Sequence, residues 1–194
     1  MKTKFIALLV LLLVFPISMF AQSEHLTFKG IPINGTLDQF TTQLTQKGFT
    51  KLGSEKGQAV LKGNFAGYKD CCVLVSTLDQ SDLVYMTGVM FPDLDKWGLL
   101  ENNYYKVKEM LITKYGKPKE EVEEFQSIIK PRTDSEKLHR LKFDECTYKS
   151  VFETEKGHIV LTISHDRVMK CYVLLGYVDG INGDLAQDAA LDDL

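Results

Sequence analysis

Twice along this chain, a helical segment ending on glycine gives way to three β-prone stretches joined by turns of only three or four residues. Connections that short join neighbouring antiparallel strands, because a parallel pair needs a crossover of a dozen residues or more. The first helix is read at Thr36 to Lys47. Thr36 and Gln39 have the spacing of a capping box, Leu37, Phe40 and Leu44 share one face, and Gly48 ends it. The second is read at Trp97 to Tyr115, with Leu100, Tyr104, Val107, Leu111 and Tyr115 at helical spacing and Gly116-Lys117-Pro118 as the stop. The strands are read at Gln58–Ala66, Asp70–Thr77 and Leu83–Phe91, then at Cys146–Thr154, His158–Ser164 and Val168–Val178.

The two sets of strands superimpose without a gap at an offset of 87, which pairs Lys62 with Lys149, Phe65 with Phe152, Leu74 with Leu161, Asp79 with Asp166 and Tyr85 with Tyr172. The reading is a tandem duplication, with repeats at about 30–92 and 97–178. The second repeat carries a charged insert, 119–143, in which Val122, Phe125, Ile128 and Ile129 suggest one short amphipathic helix before Pro131. Two such repeats join most simply into one antiparallel sheet with the helices on one face, a single α+β domain at 22–178. This plan resembles the β-lactamase-inhibitor-protein-like fold, also seen in small outer-membrane-assembly lipoproteins. The resemblance is one of architecture over most of the chain, with no family motif. It implies an open sheet face used as a docking surface.

Side chains alternate along a strand, so the two faces can be assigned. In the second repeat Cys146, Tyr148, Phe152, Ile159, Leu161, Ile163, Val173, Leu175 and Tyr177 read as the core face. The opposite face is expected to carry His158, Val160, Tyr172 and Leu174, and by the offset Cys71, Val73, Val75, Tyr85, Thr87 and Val89. A wet sheet face should be mainly polar, and this one is not. The candidate binding residues are therefore Val73, Val75, Tyr85, Val89, His158, Val160, Tyr172 and Leu174, with Tyr85 and Tyr172 as symmetry mates. The competing expectation is that the insert or the C-terminal tail covers this face.

Lys2 and Lys4, the apolar run from Phe5 to Phe15, Pro16 and then Ala21 before Gln22 have the order of a cleaved signal peptide at 1–21. The expectation is an exported protein, periplasmic or secreted, with no membrane span in the mature chain and no lipoprotein cysteine. Without Lys2 and Lys4, 21 basic side chains face 26 acidic ones, a formal charge of −5 that disfavours nucleic acid and anionic lipid. Asp179, Asp184, Asp188, Asp192 and Asp193 mark 179–194 as an acidic, flexible tail.

Cys71, Cys72, Cys146 and Cys171 match no zinc spacing, and the histidines are scattered. Cys72, Cys146 and Cys171 read as core residues, with one cross-repeat disulfide left open. No catalytic residue, metal ligand or cofactor is assigned, since the chain has no nucleophile elbow, phosphate loop or dinucleotide fingerprint. The leading expectation is a non-enzymatic binding or inhibitor-like module whose partner is another protein or a small envelope ligand. Two alternatives stand beside it. One is a thiol-dependent enzyme at Cys71, which the offset aligns with His158 on the less buried face. The other is an envelope assembly or stress factor with a protein client.

Overall fold

The computed structural model describes residues 24–192, so the expected signal peptide lies outside the described residues. A short hairpin of β1 (Thr27–Phe28) and β2 (Ile31–Pro32) opens the fold. It lays Leu26, Phe28, Ile31 and Ile33 into the core. Next come α1 (Leu37–Gln46), β3 (Thr50–Glu55), β4 (Gln58–Phe65), β5 (Tyr68–Thr77) and β6 (Val84–Met90). The second half comprises α2 (Trp97–Tyr115), β7 (Glu120–Phe125), α3 (Asp134–Lys142), β8 (Cys146–Thr154), β9 (Gly157–His165), β10 (Cys171–Asp179) and α4 (Gly180–Asp192).

Local chemistry explains the helices. Thr36 and Gln39 form the reciprocal capping box that their spacing dictates, and α1 buries Leu37, Phe40 and Leu44. The longer α2 buries Trp97, Leu100, Tyr104, Val107 and Leu111, and Gly116 ends it at a φ of 85°. Trp97 packs against Phe125 and Tyr148, which anchors the start of α2 to β7 and β8. The Tyr104 hydroxyl shares a 2.7 Å hydrogen bond with Ser150 inside the same layer.

Strands β3 to β10 make one antiparallel sheet in the order β3-β4-β5-β6-β10-β9-β8-β7, an α+β architecture. Each half contributes four strands, and the halves meet where β6 pairs with β10. One row of paired residues crosses the whole sheet on its core face: Lys51, Leu61, Val73, Val89, Leu175, Leu161, Ser150 and Glu121. The row is symmetric about the Val89–Leu175 pair. Even its charged ends match, because Lys51 folds back onto Asp38 of α1 at 3.2 Å and Glu121 onto Lys108 of α2 at 2.9 Å.

That row corrects the ungapped alignment. Leu61 is equivalent to Ser150, Val73 to Leu161 and Val89 to Leu175, so the offset is 89, 88 and 86 in successive strands. Register shifts in the β4–β5 and β5–β6 pairs account for the drift. A one-residue slip turns every side chain to the other face. Cys71, Val73, Val75, Thr87 and Val89 therefore lie on the core face, each with 0% of its surface exposed. The second-repeat faces are as expected.

Three segments also depart from expectation. The insert begins as an edge strand, β7, and its helix α3 comes after Pro131, started by a Thr133–Glu136 capping box. Both edge strands, β3 and β7, are polar, as edges exposed to water tend to be. The insert packs α3 against α2, on the helix side of the sheet. The C-terminal segment, read as an irregular tail, is helical over Gly180–Asp192. Among the described residues, no helix is long and apolar enough to cross a membrane.

Candidate functional site

The face turned away from α1 and α2 is built from the even-numbered residues of the four central strands. Two adjacent rows form its middle. One runs Val60, Leu74, Gly88, Gly176, Val160, Val151, and the next runs Lys62, Cys72, Met90, Leu174, Thr162, Lys149. Val60, Leu74, Met90, Leu174, Val160 and Val151 are each partly exposed. The strip between the flanking Lys62 and Lys149 is thus apolar and partly open to water.

Its floor is the cross-strand pair Gly88 and Gly176, in the two central strands of the sheet. Neither glycine adopts the left-handed conformation that would demand it. A Cβ on Gly88 would come no closer than 3.6 Å to any neighbour, and on Gly176 no closer than 3.9 Å. The duplication supplies the control, because at the offset of 86 between β6 and β10 the equivalent positions carry Leu174 and Met90. Large side chains therefore fit at positions of this kind. Glycine in a strand interior costs roughly 0.5–1 kcal/mol, and its recurrent use is to let something approach the backbone closely. Leu74, Met86, Met90, Leu174, Val160 and Val178 surround the pair, in which Gly88 is buried beside the Leu174 side chain and Gly176 is partly exposed.

At one end of the face the start of α4 crosses the sheet, with Gly183 set against Val178. Leu185, Ala186 and Ala189 of α4 border a groove of about 590 Å³ whose other wall is Leu78, Leu83 and Tyr85. Below it, Asn182 is buried and donates to the carbonyls of Val84 and Ile33 at 2.9 and 3.2 Å.

The eight sequence-predicted residues divide three ways. Val160 and Leu174 flank the glycine floor, and His158 stands exposed one row away, opposite Val178 and Glu153. Tyr85 and Tyr172 are partly exposed but are not neighbours. Met86, beside Tyr85, pairs with Val178, which is six residues along β10 from Tyr172. At ~3.4 Å per residue the two tyrosines stand about 20 Å apart. Val73, Val75 and Val89 face the core and cannot meet a ligand. Sequence reasoning missed Val60, Leu74, Met86, Met90 and both glycines. The adjacent Gly-Val-Met and Leu-Gly-Tyr phrases within otherwise β-prone stretches were the available signal.

Cys71 and Cys72 exchange their expected roles, while Cys171 is buried as expected. All four are thiols, and no disulfide joins them. Cys71 is fully buried and burial pushes its thiol up, so it is a poor nucleophile. It lies on the core face of β5 while His158 lies on the opposite face of β9, and the two form no pair. Cys146 is pushed up to about 12, by burial first and the Glu101 carboxylate second. Cys72 is the thiol at the rim of the glycine floor, between Lys62 and Met90. In native protein a thiol probe is expected to label Cys72 first, with Cys71 and Cys171 slower by about an order of magnitude or more. Peptide mass spectrometry over a labelling time course checks the order, and early labelling of Cys71 would reverse the face assignment. Among the described residues, no three His, Cys, Asp or Glu side chains converge to hold a metal ion.

No protein-family profile, curated protein or solved structure matches this chain.

Proposed function

We propose that this chain is a non-enzymatic binding module, exported from the cytoplasm, that captures a protein ligand on the open face of its sheet. The observation that supports it best is the facing pair Gly88 and Gly176, which nothing inside the fold requires. A protein ligand suits the site better than a small molecule. The strip is shallow and spans six strands, whereas small-molecule sites are concave and enclosing. Its methionines and leucines give it the adaptable apolar surface used to receive a partner's projecting side chain. The β-lactamase-inhibitor-protein-like fold, which the sequence's plan resembles, docks its targets on the same kind of face.

The test is to fill the floor. Gly176→Val adds side chain where the nearest atom lies 3.9 Å from the new Cβ. It also exchanges the poorest strand former for one of the best, so the melting temperature is expected to stay level or rise by a few degrees. Capture of proteins from the envelope or secreted fraction should fall at least about tenfold relative to wild type, the effect of a steric block worth some 1.4 kcal/mol or more. If the substituted protein is folded and retains every protein that wild type retains, the open face is not the docking surface.

A further inference from the structure

A second surface, independent of the open face, lies at one end of the sheet. There β7 leaves at Phe125 opposite Cys146, where β8 enters, and β9 leaves at His165 opposite Cys171, where β10 enters. The connections 126–133, 143–145 and 166–170 all emerge at this end. They are tied together, because the Gln126 amide donates to the Glu145 carbonyl and His165 Nε2 lies 3.2 Å from Asp144 Oδ1. Their tips are apolar and stand in water. Ile128 is 103% exposed, Ile129 77%, Val168 73% and Phe143 60%.

Charge separates in the same loops. Three of the acids have partners in the fold, although the Asp144 side chain stays 91% exposed. Asp144 meets His165, Glu145 meets Arg140, and Asp166 accepts the amides of Val168 and Lys170. Arg132 has the Glu136 carboxylate beside it, which accepts its backbone amide at 2.6 Å, whereas Arg167 forms no salt bridge among the described residues and Lys130 rests on the Phe125 carbonyl at 2.6 Å. Protruding aliphatic tips flanked by Lys130, Arg132 and Arg167 set this end apart from a protein whose net charge otherwise disfavours anionic lipid, and they are a combination that suits one class of partner.

We propose that this end of the sheet docks on an anionic bilayer surface, with Ile128 and Ile129 inserted at the boundary of headgroups and acyl chains and Lys130, Arg132 and Arg167 against lipid phosphates. Apolar insertion and electrostatic attraction act together at such surfaces, and each cation near the membrane strengthens binding by roughly fivefold. A bilayer is favoured over a protein because the exposed apolar tips sit on three separate loops. A fluid interface closes around isolated points, whereas a protein would need a matched pocket for each. Of the β7 acids, Glu121 and Glu123 pair with Lys108, which leaves the exposed Glu124 as the β7 carboxylate nearest this end.

The experiment is co-sedimentation of the purified protein with phosphatidylcholine vesicles containing one quarter phosphatidylglycerol, and with vesicles of phosphatidylcholine alone. The variants are Ile128→Asp with Ile129→Asp, and Arg132→Ala with Arg167→Ala. All four side chains lie on the surface or in loops, and thermal unfolding confirms that each variant is folded. Wild type is expected to sediment with the anionic vesicles. The isoleucine variant should lose more than about tenfold in partition, because two apolar anchors are removed. The arginine variant should lose roughly 25-fold at low salt. Wild type remaining in the supernatant, equal sedimentation with phosphatidylcholine alone, or full binding by the isoleucine variant would each overturn the proposal.

Discussion

Val73→Asp is expected to abolish folding, while Leu74→Asp, one residue further along the same strand, leaves the fold intact. Val73 is fully buried on β5, paired with Leu61 on one side and Val89 on the other, beneath the helix layer. A carboxylate there would lose its water with no cation in its row nearer than the edge strands. Burying an unpaired charge drives the group to take up a proton instead, and the protonated form still lacks hydrogen-bond partners. The loss should exceed about 4 kcal/mol, a large part of what a domain of this size has to spare. Leu74 points to the open face between Val60 and Gly88 and is partly exposed. Aspartate there loses some packing and strand propensity, about 1 kcal/mol, and keeps its charge in water. Urea titrations followed by circular dichroism separate the two. A folded Val73→Asp protein beside an unfolded Leu74→Asp protein would mean that the faces of β5 are the other way round. Leu74→Asp should also weaken the partner capture that Gly176→Val blocks.

This pair of residues also shows where the sequence was legible and where it was not. Capping boxes, helical spacing and turn lengths located α1, α2 and six strands, because each is a local signal. The faces of β8 and β9 were legible because only one face of each carries a run of large apolar residues. In β5 both faces are apolar: Cys71, Val73 and Val75 on one, Cys72 and Leu74 on the other. Alternation there has no preferred phase, so the phase was borrowed from the second repeat. The register shifts near Gly63–Phe65 and Ser76–Thr77 then inverted it.

The missed elements have a common cause. In β7, Glu120-Glu121-Val122-Glu123-Glu124 reads as a solvated run, and it is a strand only because β8 pairs with it and Lys108 and Tyr105 engage its carboxylates. In α4, Gly180-Ile181-Asn182-Gly183 reads as a turn. It is helical because Asp179 caps it locally, accepting the Asn182 amide three residues on at 3.0 Å; what the sequence hides is the tertiary burial of that carboxylate against Leu26 and His25. The binding face was located as a face, but its centre was not, because a glycine matters there for what it leaves out.

Asp179 is where the two ends of the described chain are fastened, and Asp179→Ala is expected to cost about 3–5 kcal/mol. The carboxylate is wholly buried. One oxygen accepts the Leu26 amide at 2.7 Å, and the other accepts the Asn182 amide at 3.0 Å and faces His25 Nδ1 at 2.9 Å. The state of His25 follows from its neighbours. Asn34 Oδ1 accepts the Gly35 amide at 2.7 Å, so Asn34 turns its amide group to His25 Nε2 at 2.9 Å. Nε2 must then accept, Nδ1 carries the hydrogen, and it donates to Asp179. Alanine at 179 would strand two backbone amides away from water, each worth about 1–3 kcal/mol, and would remove the cap of α4 as well. His25→Ala should cost only about 1 kcal/mol, because the ring is 18% exposed and water can reach the carboxylate in its place. Asp179→Asn should fall between, since its amide group would confront the donors of Asn182 and His25 while its oxygen still serves Leu26. The predicted order of stability is therefore wild type, His25→Ala, Asp179→Asn, Asp179→Ala, measured by urea denaturation. An Asp179→Ala protein as stable as His25→Ala would show that the backbone amides, left alone, find water, and that the chain ends hold together by packing of Leu26, Phe28 and Ile33 instead.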